Sequence, residues 1–143
     1  MGIGDEAGDC FESQLGGTLE LEWTRIEPRS IAVGGYPKGN FHDIPNPAFD
    51  LAMRKLELAG VQVYCFGSAI MNWSRRVEDP FDATIAEVRR TIPRMQRAGA
   101  RFIRIMSFKP GDDEFRIPVE VFRRVKEVTN RFLDAGLKPV HEN

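Results

Sequence analysis

The side chains able to do chemistry in this sequence fall in short polar groups, each lying on or just after an apolar run. His141, Glu142 and Asn143 follow Leu137-Lys138-Pro139-Val140; Ser68, Asn72 and Trp73 follow Val61 to Phe66; Arg104, Ser107 and Lys109 surround Ile105-Met106; Glu27 and Arg29 flank Pro28; Asp5 and Glu6 stand near the start. Glu142 is the strongest single candidate, because a carboxylate can bind a hard divalent cation and can also exchange a proton with a substrate carbon. His141 beside it is either an outer donor or a filling residue, since strand neighbours point to opposite sides. Glu27, between Ile26 and Pro28, needs a partner if buried; Arg29 and Arg104 are available, so an ion pair and substrate binding are both open. Trp73 could stack on the apolar face of a sugar ring while Asn72 bonds its hydroxyls, or both could serve their own loop. Arg104 and Lys109 suit a phosphate or carboxylate, or else neutralise Asp112, Asp113 and Glu114. His42, in Asn40-Phe41-His42-Asp43-Ile44-Pro45, either lines the entrance to such a site or holds that loop together.

Positioning these groups requires an ordered scaffold, and a repeat supplies it. Gly60, Gly99 and Gly136 lie 39 and 37 positions apart, each closing an amphipathic stretch and opening a short apolar run. Helix, left-handed glycine cap and buried strand is the unit this pattern predicts. A degenerate earlier copy ends at Trp23 and leads into Thr24 to Arg29. Strands are thus expected at Gly2–Asp5 and near residues 25–29, 61–67, 101–107 and 138–142, with four helices between them. Phe49, Met53 and Leu56 mark one helical stripe, and Val121, Phe122, Val125, Val128 and Phe132 another. Asn46-Pro47 and Asp79-Pro80 are expected helix starts, Asp9 or a neighbour the cap of the first helix, and Pro93 a kink or break in the third. Arg123, Arg124 and Lys126 beside Glu120 and Glu127 read as a solvated helix face.

Strands separated by helices must run parallel with right-handed crossovers, which fixes the class as α/β. The first strand lacks a G-x-G-x-x-G continuation, and polar residues close several strands instead of one switch point. Both points favour a TIM-type parallel (β/α) barrel over an open doubly wound sheet. A complete barrel takes about 250 residues. The 143-residue chain is therefore expected to hold four βα units plus strand five, residues 1–143 being the N-terminal half of one barrel domain.

Composition restricts the partners. Twenty basic and 21 acidic residues give a formal charge of −1, which offers no pull toward nucleic acid or an anionic membrane. Cys10 and Cys65 form no metal or disulfide pattern, and no apolar run reaches the length of a membrane span. With no signal-peptide pattern at the start, a soluble, cytoplasmic protein is expected.

Gly4-Asp5-Glu6-Ala7-Gly8, Ile26-Glu27-Pro28-Arg29, Asn40 to Pro45, Arg104-Ile105-Met106-Ser107-Phe108 and Pro139-Val140-His141-Glu142-Asn143 together resemble the xylose isomerase-like barrel superfamily, in its sugar phosphate isomerase/epimerase branch. The resemblance covers essentially the whole chain and half of a family member. It implies that Glu142, in its Glu-Asn context, binds a divalent metal such as manganese or magnesium and moves a proton between adjacent carbons of a sugar or sugar phosphate. The other metal ligands of the family come from later strands, so the 143 residues alone are expected to be inactive and not to hold the metal. Two other classes stay open. The superfamily also resembles metal-dependent apurinic endonucleases, which the charge disfavours, and a non-enzymatic half-barrel module would self-associate through its open sheet edge.

Overall fold

The computed structural model describes residues 1–109 and 119–142. Expectations placed on Asp112, Asp113, Glu114 and Asn143 lie outside those residues.

Five extended segments run side by side in chain order, all parallel. Ile3 bridges to Glu27; β1 (Arg25–Ile26) pairs with β4 (Gln62–Val63); β5 (Cys65–Phe66) pairs with β6 (Phe102–Ile105); and β6 pairs with β7 (Lys138–His141), setting Arg104 opposite Val140. Tyr64 joins β4 to β5, and its N–H donates to the Ile26 carbonyl at 3.0 Å, so one continuous segment serves two neighbours. The parallel α/β expectation therefore holds, and the described strands do not close into a barrel. The expected first strand shrinks to Ile3, because Gly4–Ala7 turns into a 3-10 helix. An unforeseen antiparallel ribbon, β2 (Ser30–Ile31) with β3 (Gly39–Asn40), follows β1.

The helices are α1 (Phe11–Glu20), α2 (Asn46–Ala59), α3 (Phe81–Ala98) and α4 (Val119–Asp134). Gly60 and Gly99 end α2 and α3 at φ 66° and 65°, a left-handed conformation that glycine adopts without steric cost. The starts differ from expectation. Pro45 and Pro80 occupy the cap positions, where they have no side-chain acceptor to offer. Asn46 instead accepts from Arg94 at 2.6 Å and Asp79 from the Arg76 N–H at 2.8 Å, whereas α1 starts as expected beside Asp9, at Cys10, which offers no side-chain bond to the helix. Pro93 does not divide α3, since Pro93 and Arg89, whose carbonyl loses its donor, both face solvent. Among the described residues no helix is long and apolar enough to cross a membrane.

The core lies between the strands and the helices. Phe41 is fully buried among Phe11, Phe49 and Phe66, with ring centroids 6.2, 5.2 and 4.9 Å away. Ile26, Ile103, Val88, Met95 and Phe132 extend the same core across the sheet. Phe122 departs from its helical stripe and is 62 % exposed. Arg124 departs in the other direction: it is buried, donates to the Asp79 carbonyl at 2.7 Å, and lies over the rings of Phe81 and Phe108. Only its neighbours on that basic segment form a solvated face.

Candidate functional site at the strand ends

In a parallel barrel architecture the carboxyl ends of the strands form the mouth in which chemistry is done. Each of the five segments brings a charged or thiol side chain there. Asp5 follows Ile3, Glu27 and Arg29 follow β1, Cys65 and Gly67 belong to the end of the third segment, and Arg104 on β6 faces Glu142 just past β7.

Gly67 permits this convergence. A Cβ at position 67 would lie 2.9 Å from Arg29 Cβ and 3.3 Å from Glu27 Oε1, both closer than atoms normally pack. Without that methyl group, the end of the third segment fits against Pro28 and Arg29, and the Gly67 N–H donates to the Pro28 carbonyl at 3.1 Å.

Arg29 is committed to the acids after Ile3. Its Nε donates to both Asp5 carboxylate oxygens at 3.0 and 2.9 Å, and Nη2 reaches Glu6 at 3.2 Å. The Asp5 hydrogen bond is the main reason its guanidinium holds its proton even more firmly than usual. Arg104 is also committed. Its side chain is 9 % exposed, and its Nε donates to the Ser68 carbonyl at 3.0 Å, Nη2 to the Gly67 carbonyl at 3.5 Å and Nη1 to Glu142 Oε1 at 3.3 Å. Ser68 returns the contact by donating its hydroxyl to the Arg104 carbonyl.

Glu27 is left without an ion pair among the described residues. Burial raises its carboxyl above the ordinary range; the nearby positive charge of Arg104 opposes that rise and the negative charge of Glu142 adds to it. A carboxyl so placed holds its proton more readily than an exposed one, a property suited to acid/base work. Cys65 lies against it, and burial with the Glu27 charge pushes its thiol up to about 12. The thiol stays protonated and serves as packing, not as a nucleophile.

The loops after the third and fourth segments are zipped together. The Met106 N–H donates to the Ile70 carbonyl at 3.1 Å and the Phe108 N–H to the Met71 carbonyl at 2.7 Å. Met71 and Phe108 are both buried with positive φ, 57° and 67°, an unusual conformation for such side chains.

The candidates divide on this geometry. Glu27, Arg104 and Glu142 come together. Trp73 is 55 % exposed on the loop after the third segment. Asn72 uses its side-chain oxygen within that loop, accepting from the Ser74 N–H at 3.2 Å and the Ser74 hydroxyl at 2.6 Å. Lys109 is exposed, with its backbone N–H bonded to the Arg75 carbonyl. His42 does not face an open entrance. It is 1 % exposed, with Nε2 2.7 Å from Glu87 Oε1 on α3, and Arg75 Nη2 lies 2.8 Å from the other Glu87 oxygen as an ion pair without hydrogen-bond alignment. Arg90 to Asp43 and Arg94 to the His42 carbonyl add to this attachment, which fits the loop-holding alternative.

Sequence reasoning missed the pairing of His42 with Glu87. One signal was present, because Glu87 falls between Thr84 and Thr91 at helical spacing on the buried side of α3. Cys65 and Gly67 were missed as neighbours of Glu27, and nothing short of strand register could have found them. A cleft of about 360 Å³ lined by Leu56, Glu57, Val61, Gln62 and Arg97 opens at the opposite, amino ends of the strands, away from these groups.

The arrangement of strands and crossovers recurs in solved structures. A xylose isomerase domain containing protein from Salmonella typhimurium matches with a TM-score of 0.59 and 17 % identity, over 98 % of this chain and 47 % of that one. A xylose isomerase-like TIM barrel protein from Mycobacterium smegmatis, solved in complex with magnesium, matches with a TM-score of 0.64 and 12 % identity, over 97 % of this chain and 50 % of that one. The fold is that of half a xylose isomerase-like TIM barrel. The chain spans about half the length of the structures it matches. No family model matches the chain, and no curated protein matches it.

Among the described residues of the half-barrel, no three His, Cys, Asp or Glu side chains converge as a metal cage. Glu27 and Glu142 are oxygen donors of the kind magnesium and manganese take, and two such donors fall short of the six ligands of either ion.

Proposed function

We propose that this mouth belongs to a sugar or sugar phosphate isomerase or epimerase that shifts a proton between adjacent carbons with help from a divalent metal ion. The observation that carries the reading is the placing of Glu27 and Glu142 at parallel strand ends beside Arg104, one carboxyl half-buried and inclined to hold a proton, the other exposed. Two carboxyls in unlike environments are the usual basis for dividing acid and base roles. The magnesium in the Mycobacterium smegmatis neighbour accords with it.

In this reading Glu142 is the ligand and proton acceptor that this chain contributes, and the remaining ligands come from polypeptide completing the barrel. A bound magnesium or manganese ion would polarise the substrate carbonyl oxygen. Glu27, with its raised carboxyl, holds or returns a proton at a neighbouring hydroxyl. Trp73 offers an exposed indole face to the apolar side of a sugar, and Lys109 an exposed ammonium to a phosphate.

Hydrogen exchange tests the proposal directly. Ketoses and their phosphates are incubated in D2O with manganese or magnesium and the gene product carrying this chain, and deuterium at the carbon beside the carbonyl is read by NMR. Metal-dependent exchange is expected, reduced about 10²- to 10⁴-fold by Glu142→Gln. The isolated 143 residues should exchange nothing. Exchange unaffected by Glu142→Gln, or absent with every sugar, overturns the reading.

A further inference from the structure

Arg104, at the end of β6, links the strand ends on either side of it, that of β5 and that of β7. Its guanidinium is nine-tenths buried, and such a charge needs anchoring partners. Two are backbone carbonyls, Ser68 at 3.0 Å and Gly67 at 3.5 Å, which fix the guanidinium against the end of the third segment. Across β6 it meets Glu142, at 3.3 Å through Oε1, the only carboxylate within ion-pair distance of it among the described residues. The backbone brings the two into register, since the Glu142 N–H donates to the Ile105 carbonyl at 3.0 Å. A guanidinium engaged in this way is poorly placed to clamp a phosphate, which needs two of its N–H groups side by side.

The geometry points to Arg104 as a positioning residue that ties one oxygen of the Glu142 carboxylate to the carbonyl-lined end of β5, so that the carboxylate enters the mouth in one orientation. Glu142 is 54 % exposed, and a glutamate that free would otherwise sample several rotamers. Its tether is rigid because Arg104 is itself held from below by carbonyls that cannot rotate away. This inference rests on the reading of Glu142 as a metal-binding, proton-accepting carboxylate, although the tether itself does not.

Two measurements separate the tether from the function. In the first, ¹⁵N NMR of the arginine side chains follows rotation of the Arg104 guanidinium in the wild-type chain and in Glu142→Gln, a change at an exposed site that leaves the core intact. Rotation about the Nε–Cζ bond is expected to quicken about tenfold, the ratio one charge-assisted bond is worth, while the Nε proton stays protected by the Ser68 carbonyl. A merely structural Arg104 would not notice residue 142, so unchanged rotation overturns the inference. In the second, manganese binding to the gene product carrying this chain is titrated by water-proton relaxation. Arg104→Lys and Arg104→Gln are expected to weaken it about 10- to 100-fold, as loss of an outer-shell partner does. Affinity lost in Glu142→Gln but intact in Arg104→Lys overturns the positioning role and leaves Glu142 as a ligand. Affinity intact in Glu142→Gln, with guanidinium rotation altered, sinks the metal reading and leaves the tether standing.

Discussion

Gly67→Ala is the smallest change that probes how the mouth is assembled. The added methyl would sit 2.9 Å from Arg29 Cβ and 3.2 Å from Arg29 Cα, against an optimum of about 3.5–4.0 Å for carbon pairs. Arg29 Cα is backbone, so the clash is relieved only by moving the end of β5 away from the segment after β1 by several tenths of an ångström. That movement strains the bond from the Gly67 N–H to the Pro28 carbonyl and pushes on Glu27 Oε1. Overpacking of this kind costs about 1–3 kcal/mol. At about 2–4 °C per kcal/mol for a chain of this size, the melting temperature should fall by roughly 2–12 °C. Gly16→Ala is the internal control. Gly16 lies inside α1, where an added methyl would meet no heavy atom within 4 Å, so the same substitution should stabilise the protein by about 0.5–1 kcal/mol. Urea unfolding and thermal melts of the two variants read both signs. If Gly67→Ala melts with or above the wild type, the close approach of β1 and β5 at the mouth is wrong, and the convergence of Glu27 with Arg104 and Glu142 loses its support.

Other perturbations give distinct signatures. Burial raises the Glu27 carboxyl above its unfolded value, so between those two values the folded protein binds the extra proton and stability falls as pH rises. Glu27→Gln should therefore raise the melting temperature at neutral pH and lose that advantage in acid below the carboxylate range; an equal gain at both pH values would contradict it. His42→Ala leaves Glu87 buried with only its ion pair to Arg75, and should cost about 3 kcal/mol by urea unfolding, while Glu87→Gln, which removes the charge and keeps the shape, should cost less than half as much. Phe41→Ala empties the centre of the four-ring cluster and should cost about 3–5 kcal/mol, against almost nothing for the 88 % exposed Leu58→Ala.

What the sequence revealed followed from how local each feature is. Gly60, Gly99 and Gly136 were legible because a left-handed cap is decided within one turn, and all three have positive φ. The parallel order of segments followed from those caps, since a helix between strands admits one direction. Glu27, Arg104 and Glu142 could be placed at strand ends for the same reason. Their partners could not, because pairing depends on register between segments far apart in the chain. Arg29, offered as a partner for Glu27, turns to Asp5, 24 residues away. His42 and Glu87 are 45 residues apart, and only the packing of α3 against the loop before α2 joins them. Phe122 misled because helical periodicity describes an isolated helix, whereas exposure is set by what packs beside it.

The charges at the mouth also explain why Glu27 stands apart. Among the described residues, Asp5, Glu6, Glu27 and Glu142 meet two guanidiniums, those of Arg29 and Arg104. Arg29 satisfies the first two acids and Arg104 grips Glu142, so the least compensated negative charge falls on Glu27, the member of the set that burial already makes reluctant to ionise. Two outcomes relieve such an imbalance. Glu27 can keep a proton, which makes it a donor, or a dication can join the two carboxylates and remove the penalty on Glu27. The two predict opposite responses to manganese: a joined cation lowers the Glu27 carboxyl and releases a proton on binding, whereas an isolated proton donor does not respond. Proton release measured in weakly buffered solution during a manganese titration of the gene product carrying this chain therefore distinguishes a carboxylate pair built for a metal from one built to share a proton.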